Sequence, residues 1–213
     1  MKLVFLAYGY RPGEAEMAAK MISSARAVMP GLTIVQATDL ETPLYDGADC
    51  AQRLPRLIRP GFDRETFCEF RHRHDLACGD EETILCDTDI VFKSDVRDLF
   101  AKPFDVALTV REPGDKLAHL QKHVGGFILS RRAEFWRQVL AIVYTQPDIL
   151  RSWYGRQSAI DTVAASGLFR VMTLPERIYN RAPRDPGDVA GAAVLHYRGP
   201  RKAWLCPEVF TIR

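Results

Sequence analysis

Residues 84–92 read ILCDTDIVF, an apolar run that is interrupted by two aspartates with one residue between them. The apolar residues are typical of a buried strand, but two unpaired carboxylates buried close together repel each other and lose their hydration. Because strand side chains alternate between the two faces, Asp87 and Asp89 point the same way. A pair of hard oxygen ligands suits Mg²⁺ or Mn²⁺. We therefore predict a divalent cation site here, with an aspartate cap on a following helix as the structural alternative.

The residues around this motif alternate between strand-like and helical patterns. A strand at 2–8, a helix at 14–29 and a strand at 32–38 form a βαβ opening, which predicts a parallel sheet with covered faces. Residues 39–61 are interpreted as loop with a short helical turn, and residues 94–100 as a short helix that Ser94 caps. Further helices are predicted at 63–77, 133–145 and 155–166, and further strands at 83–86, 105–110, 124–130, 169–175 and 192–199. We expect one α/β domain over residues 1–213.

Composition argues against several classes of protein. The 29 Lys and Arg residues nearly balance the 27 Asp and Glu residues, which predicts no nucleic-acid partner. The N-terminal apolar run is too short for a transmembrane segment, so we interpret it as the first strand of a cytoplasmic protein. The five cysteines include no C-x-x-C pair, unlike a zinc site.

Two unrelated enzyme classes carry an apolar strand followed by Asp-x-Asp. The stretch TILCDTDIV resembles the phosphatases of the haloacid dehalogenase type, which would make Asp87 a nucleophile. Those enzymes also need a downstream carboxylate pair, for which Asp185 and Asp188 are the nearest candidates. The motif equally resembles the glycosyltransferases of the GT-A fold, in which Asp-x-Asp holds a divalent ion on the diphosphate of a nucleotide-sugar.

The stretch HYRGPRKAW at residues 196–204 favours the second class. It resembles the His-Phe/Tyr-x-Gly-x-x-Lys-Pro-Trp signature of the retaining family that includes glycogenin and the bacterial lipopolysaccharide galactosyl- and glucosyltransferases, with Ala203 in place of the proline. A neutral imidazole at His196 can be a third metal ligand, Gly199 lets backbone N–H groups approach a phosphate, and Lys202 supplies a positive charge. The resemblance implies a GT-A fold with a mostly parallel central sheet flanked by helices.

Other positions follow the order of the same family. Tyr10, with Ala7 and Tyr8 beside it, resembles the aromatic residue that stacks on the uracil ring. Arg71 is similar to the family's arginine that braces the first aspartate and the donor. The stretch LPERIYN resembles a Leu-Pro-x-x-Tyr-Asn segment, and this implies acceptor binding by Tyr179 and Asn180.

Two stretches depart from the family pattern. Residues 124–127 read VGGF where the family often has Asn-Ser/Ala-Gly-Val, so Gly125 and Gly126 would face the donor sugar without the asparagine. The family's Asp-Gln-Asp-x-Leu-Asn helix start appears as RQSAID at residues 156–161, with Arg156 and Ser158 in place of acids. The resemblance implies that Gln157 lies near the anomeric carbon and leaves Asp161 as the one candidate for a nucleophilic carboxylate.

Taken together, the resemblance implies transfer of a hexose from UDP-glucose or UDP-galactose with retention at the anomeric carbon. Asp87, Asp89 and His196 would bind Mn²⁺ or Mg²⁺. The donor would also be contacted by Asp87, Gly125, Gly126, Gly199 and Lys202. The acceptor is a saccharide, a protein or a lipid-linked sugar. The phosphatase and a non-catalytic nucleotide-sugar-binding module are the alternatives.

Overall fold

A seven-stranded sheet forms the centre of the molecule. The computed structural model describes residues 1–7, 13–55, 79–115, 117–146 and 155–208. The sheet has the strand order β3-β2-β1-β4-β7-β6-β8, and its strands are β1 Lys2–Leu6, β2 Thr33–Thr38, β3 Cys50–Arg53, β4 Thr83–Cys86, β6 Val106–Val110, β7 His123–Ser130 and β8 Val171–Pro175. A second sheet pairs β5 Ile90–Phe92 with β9 Val194–His196. The helices are α1 Glu14–Val28, α2 Ala133–Thr145, α3 Gly155–Ala165, α4 Glu176–Tyr179 and α5 Lys202–Leu205, with 3₁₀ turns at Arg97–Ala101 and Gly199–Arg201.

The central sheet is mostly parallel, as the sequence predicts. β1 pairs in parallel with both β2 and β4, and β2–β3 and β6–β8 are parallel as well. Only β7 among these seven strands runs the other way, antiparallel to β4 and to β6. The carboxyl ends of β1 and β4 therefore lie at the same edge of the sheet, which is where ligands bind in open α/β sheets.

Both faces of the sheet are covered by apolar side chains. Leu3 and Phe5 pack with α1 on one face, while Val4 between them packs with α2 and α3 on the other. This two-sided burial explains why the first strand is apolar without interruption. The helical spacing predicted for residues 14–29 is confirmed, because the α1 side chains that are buried are Met17, Ala18, Met21, Ile22 and Ala25.

Three local predictions differ from the structure. The region 39–61, interpreted as loop and helical turn, contains β3, whose residues form a strand because they pair with β2 at the sheet edge. The helix predicted to begin at Ser94 is a 3₁₀ turn over Arg97–Ala101. Ser94 does not cap it, and the Ser94 N–H donates to Ala193 O. β5 is a further strand, one that the sequence pattern does not predict. The helix predicted at 63–77 lies outside the described residues.

The small β5–β9 sheet joins parts of the chain that are far apart in sequence. Ile90 pairs with His196 and Phe92 with Val194, and the Tyr197 N–H extends the ladder by donating to Asp89 O at 2.8 Å. The apolar side chains of Ile90 and Phe92 belong to the same core cluster as α1. None of the helices in the described ranges combines the length and the apolar character needed to cross a bilayer.

Candidate metal and donor site

The two aspartates lie where β4 ends, at the sheet edge predicted for a ligand. Asp87 follows the last residue of β4, and its backbone N–H donates to Gly126 O at 2.9 Å, which fixes it against β7. The Asp87 side chain is about one quarter exposed (26%), whereas that of Asp89 is almost fully buried (6%). Asp89 directly precedes β5, so its position is set by the small sheet.

The structure brings His196 to the aspartate pair. The imidazole Nε2 lies 3.2 Å from Asp89 Oδ1 and 3.7 Å from Asp87 Oδ2. Each of the three residues offers one ligand atom, and these atoms all lie within 4.8 Å of one another. Two carboxylate oxygens and one imidazole nitrogen are a donor set suited to a divalent cation, and three protein ligands leave coordination positions for a substrate. The three predicted metal ligands therefore form one group.

Lys202 contacts the buried aspartate of this group. Its Nζ lies 3.1 Å from Asp89 Oδ2, on the oxygen that does not face His196. Burial by itself would raise the pKa of the Asp89 carboxyl, but the contacts with His196 and Lys202 outweigh burial and hold that pKa well below its usual range. Asp89 is therefore a carboxylate at neutral pH.

Gly125 and Gly126 form a break in the ladder between β6 and β7. Leu108 pairs with Ile128 whereas Thr109 pairs with Val124, so residues 125–127 lie outside the regular register. Gly126 has φ +107°, and a Cβ added to it would lie 2.4 Å from His196 Cε1 and 2.6 Å from His196 Nδ1. The imidazole thus occupies the space that any side chain at Gly126 would fill. The family resemblance implies that a residue without a side chain is needed here so that the donor sugar can come close. In this structure the close contact with His196 requires a glycine at position 126 as well.

Asn180 and Tyr179, predicted to bind an acceptor, lie beside the same group. Asn180 is fully buried, with its Oδ1 at 2.8 Å from His196 Nδ1 and its Nδ2 donating to Gly125 O at 2.8 Å. The Tyr179 ring is partly buried and stacks on Phe127, with 6.4 Å between the ring centroids. Acceptor binding by these two residues stays a prediction.

The predicted catalytic residues lie on α3 with different surroundings. A Cβ added at Gly125 would lie 3.5 Å from Gln157 Nε2 and 3.3 Å from Arg156 Nη1, so both side chains reach the glycine pair. Asp161, one turn further along α3, contacts the start of β7. Its Oδ2 accepts from the Lys122 N–H at 2.8 Å, and its Oδ1 lies 2.5 Å from His123 Nδ1. His123 is not predicted from the sequence as a site residue, because a histidine that opens a strand gives no signal by itself.

The remaining predicted site residues are Ala7 and Gly199, which the structure describes, and three residues outside the described ranges. Ala7 is buried just after β1, where its N–H donates to Ala37 O. Gly199 is exposed, has φ +64° and begins the 3₁₀ turn that precedes Lys202. Tyr8, Tyr10 and Arg71 fall outside the described residues, so their donor-binding roles stay predictions.

The carboxylates that the phosphatase interpretation requires are engaged elsewhere. Asp188 forms an ion pair with Arg181 and accepts from the Arg184 N–H at 2.9 Å, while Asp185 Oδ1 accepts from the Gly187 N–H at 2.9 Å. Within the described residues, the group that could hold a metal ion contains neither Asp185 nor Asp188. This arrangement favours the glycosyltransferase interpretation of Asp87 and Asp89 over the phosphatase interpretation.

The fold is shared with solved glycosyltransferases. A galactosyltransferase, LgtC, in complex with donor and acceptor sugar analogs has a TM-score of 0.57 at 15% identity, covering 100% of this chain and 98% of that one. The glycosyltransferase GlyE of Streptococcus pneumoniae TIGR4 has a TM-score of 0.63 at 15% identity, and the match covers 95% of this chain and 59% of the GlyE chain. A glycosyltransferase involved in the glycosylation of the major capsid of PBCV-1 gives 0.64 at 11% identity, covering 96% and 98%.

These likenesses confirm the expected GT-A fold and, at the level of the fold, the resemblance seen in the sequence. The sequence itself matches no protein-family profile and no curated protein at a significant level. The fold therefore defines the chain as an α/β domain of the GT-A type.

We predict that Gly126→Ala destabilises the protein more than Gly167→Ala does. Both glycines have positive φ, so both substitutions carry a backbone penalty of about 1–2 kcal/mol, but an added Cβ at Gly167 meets nothing within 4 Å. At Gly126 the new methyl group must also displace the His196 ring. Urea unfolding of the two variants measures the difference. Equal free energies of unfolding would show that the ring is free to move away.

Proposed function

We propose that this chain is a metal-dependent glycosyltransferase that moves a hexose from a nucleotide-diphosphate sugar to an acceptor hydroxyl. The observation that carries the proposal is the group of Asp87, Asp89 and His196, which lies after β4 at the ligand-binding edge of a GT-A sheet. The contact between Lys202 and Asp89 adds a cation next to the same ligands. That arrangement suits an anionic diphosphate better than a neutral substrate.

Asp87, Asp89 and His196 would hold the divalent cation, Mn²⁺ or Mg²⁺. When bound, the ion supplies Lewis-acid stabilisation of the negative charge on the leaving diphosphate. Lys202 helps to stabilise the same negative charge. Its Nζ lies 3.1 Å from Asp89 Oδ2, so it can also reach a phosphate oxygen that binds next to this carboxylate. Gly199, which begins the turn that leads to Lys202, is exposed in the same segment.

The transfer proceeds with retention at the anomeric carbon and without a protein nucleophile. Asp161, the candidate nucleophile, accepts hydrogen bonds from the backbone N–H groups of Lys122 and His123 and contacts the His123 ring, which leaves its oxygens occupied. The acceptor oxygen therefore bonds to the anomeric carbon on the face from which the diphosphate oxygen departs. The proton of the acceptor hydroxyl passes to the departing phosphate. Gln157, whose amide reaches Gly125, steadies the sugar.

The donor is UDP-glucose or UDP-galactose, and the acceptor is a saccharide, a protein or a lipid-linked sugar. The solved structure of LgtC, a galactosyltransferase complexed with donor and acceptor sugar analogs, supports a sugar donor for this fold. The uridine assignment rests on the sequence resemblance at Tyr10. A cytoplasmic location likewise remains a prediction from the sequence.

The central test is a thermal-shift screen of nucleotide-sugars with and without Mn²⁺. Wild-type protein is expected to melt at a higher temperature with UDP-hexose and Mn²⁺ together, because a ligand that binds only the folded state stabilises it. Asp89→Asn keeps the shape of the side chain but removes its negative charge. We therefore expect the apparent affinity for Mn²⁺ and UDP-hexose to fall by at least about tenfold. A loss of that size is already typical when the changed residue only hydrogen-bonds to a metal ligand.

Asp98→Asn is the matched control, because Asp98 is an exposed aspartate of the nearby 3₁₀ turn. An unchanged thermal shift in Asp89→Asn would contradict the metal assignment. Binding of the donor without hydrolysis or transfer over a broad acceptor panel would favour the non-catalytic binding module. Turnover of para-nitrophenyl phosphate would favour the phosphatase.

A second prediction concerns Asp161. Asp161→Asn should retain most of the turnover number, because an asparagine Oδ1 can still accept one of the backbone N–H groups at residues 122 and 123. Removal of a covalent nucleophile lowers kcat by about 10⁴-fold or more. Steady-state kinetics with the donor identified in the screen distinguishes the two cases, and the melting temperature reports any structural cost separately. A loss of the larger size in a folded variant would assign Asp161 as the nucleophile.

A further inference from the structure

The side chain of Asn180 has three polar neighbours and no access to solvent. It is fully buried, with Oδ1 2.8 Å from His196 Nδ1. Its Nδ2 lies 2.8 Å from Gly125 O and 3.4 Å from Thr109 Oγ1. A side chain with no exposed surface cannot contact an acceptor sugar. The role of Asn180 therefore depends on the groups to which it is hydrogen-bonded.

The orientation of the Asn180 amide is fixed by groups other than the histidine. A backbone carbonyl only accepts hydrogen bonds, so the amide nitrogen of Asn180 has to face Gly125 O. The Thr109 hydroxyl donates its proton to Phe127 O at 2.9 Å and therefore presents a lone pair to the same amide nitrogen. Both contacts direct the amide oxygen of Asn180 toward His196.

An amide oxygen is only an acceptor, so the histidine nitrogen that faces it has to carry the proton. His196 Nδ1 is thereby the donor at 2.8 Å. The nitrogen left to offer a lone pair is Nε2, the atom that lies 3.2 Å from Asp89 and 3.7 Å from Asp87. The tautomer required of a metal ligand is thus imposed from the side opposite to the aspartates.

We propose that Asn180 is a positioning residue that holds His196 in the Nδ1–H tautomer, with Nε2 directed at the cation. This inference rests on the proposed function, since it assigns a role toward the metal of that site. It adds a fourth residue to the metal group, one that supports a ligand without being one. It also replaces acceptor binding as the proposed role of Asn180.

The backbone keeps the two side chains together. The Asn180 N–H donates to Glu176 O at 2.9 Å, the Arg181 N–H to Val194 O at 3.1 Å and the His196 N–H to Arg181 O at 2.8 Å. The chain on one side of Asn180 therefore ends a helical turn, and the chain on the other side runs along β9. Gly126 bounds the imidazole on a further side. A substitution of Asn180 can thus remove the hydrogen bond while the ring stays in place.

The test compares Asn180→Leu with Asn180→Asp in Mn²⁺ binding. In the presence of UDP, the signal of free Mn²⁺ in electron paramagnetic resonance gives the affinity of the protein for Mn²⁺. In pulsed electron paramagnetic resonance, nitrogen modulation of the spin echo reports an imidazole that coordinates the ion. Asn180→Leu is expected to weaken Mn²⁺ binding about tenfold to a hundredfold and to lose the nitrogen modulation, because Nδ1 loses its acceptor. Asn180→Asp is expected to keep the modulation, because a carboxylate oxygen accepts the same proton.

Gln36→Leu is the matched control, because it removes another fully buried amide, one on β2 that bridges Pro43 O and the Tyr45 N–H instead of contacting His196. Its Mn²⁺ affinity should stay close to that of the wild type. Equal affinity and equal modulation in wild type and a folded Asn180→Leu would overturn the inference alone. If Asn180→Leu does not fold, loss of the modulation in Asn180→Asp would overturn it. Absence of Mn²⁺ binding by wild-type protein would overturn the inference together with the proposed metal site.

Discussion

The antiparallel pairing of residues 90–92 with residues 194–196 is the interaction on which the site depends. It places Asp89 and His196 at the same end of a short ladder, although they are far apart in the sequence. The apolar side chains of this ladder pack into the core cluster of α1, so the pairing is stabilised by the same burial that stabilises the main sheet. The position of Asp89 relative to His196 is therefore a consequence of the core.

Charge compensation explains why the strand can tolerate its aspartates. Asp89 is almost fully buried, but the positive charge of Lys202, whose Nζ lies 3.1 Å from Asp89 Oδ2, opposes the penalty of burial. The lysine thus offsets part of the cost of removing water from this carboxylate. Asp87 is more exposed and pairs through its backbone with β7, so it needs less compensation. The two aspartates of one motif consequently have unequal environments.

The sequence was sufficient for the architecture and for the grouping of Asp87, Asp89 and His196, but not for what surrounds these side chains. The alternation of patterns predicted the sheet, and the motifs around residues 87 and 196 predicted that the three side chains lie together. β3 and β5 were missed, since strands of three or four residues carry little periodicity and form through pairing with distant segments. The amide bridge from Asn180 could not be predicted, because it depends on which partners the folded chain supplies to either end of one side chain.

The break in register between Leu108 and Thr109 has a consequence for how the site can vary. Residues 125–127 leave the ladder with β6, and of these three Phe127 alone keeps a register partner in β4, so strand pairing fixes Gly125 and Gly126 less than the rest of β7. A regular ladder would link any change at residues 125 and 126 to a slip of the whole strand and its buried side chains. Here the distortion is absorbed within three residues. The surroundings of Gly125 and Gly126 can therefore change while the scaffold that carries Asp87, Asp89 and His196 stays the same.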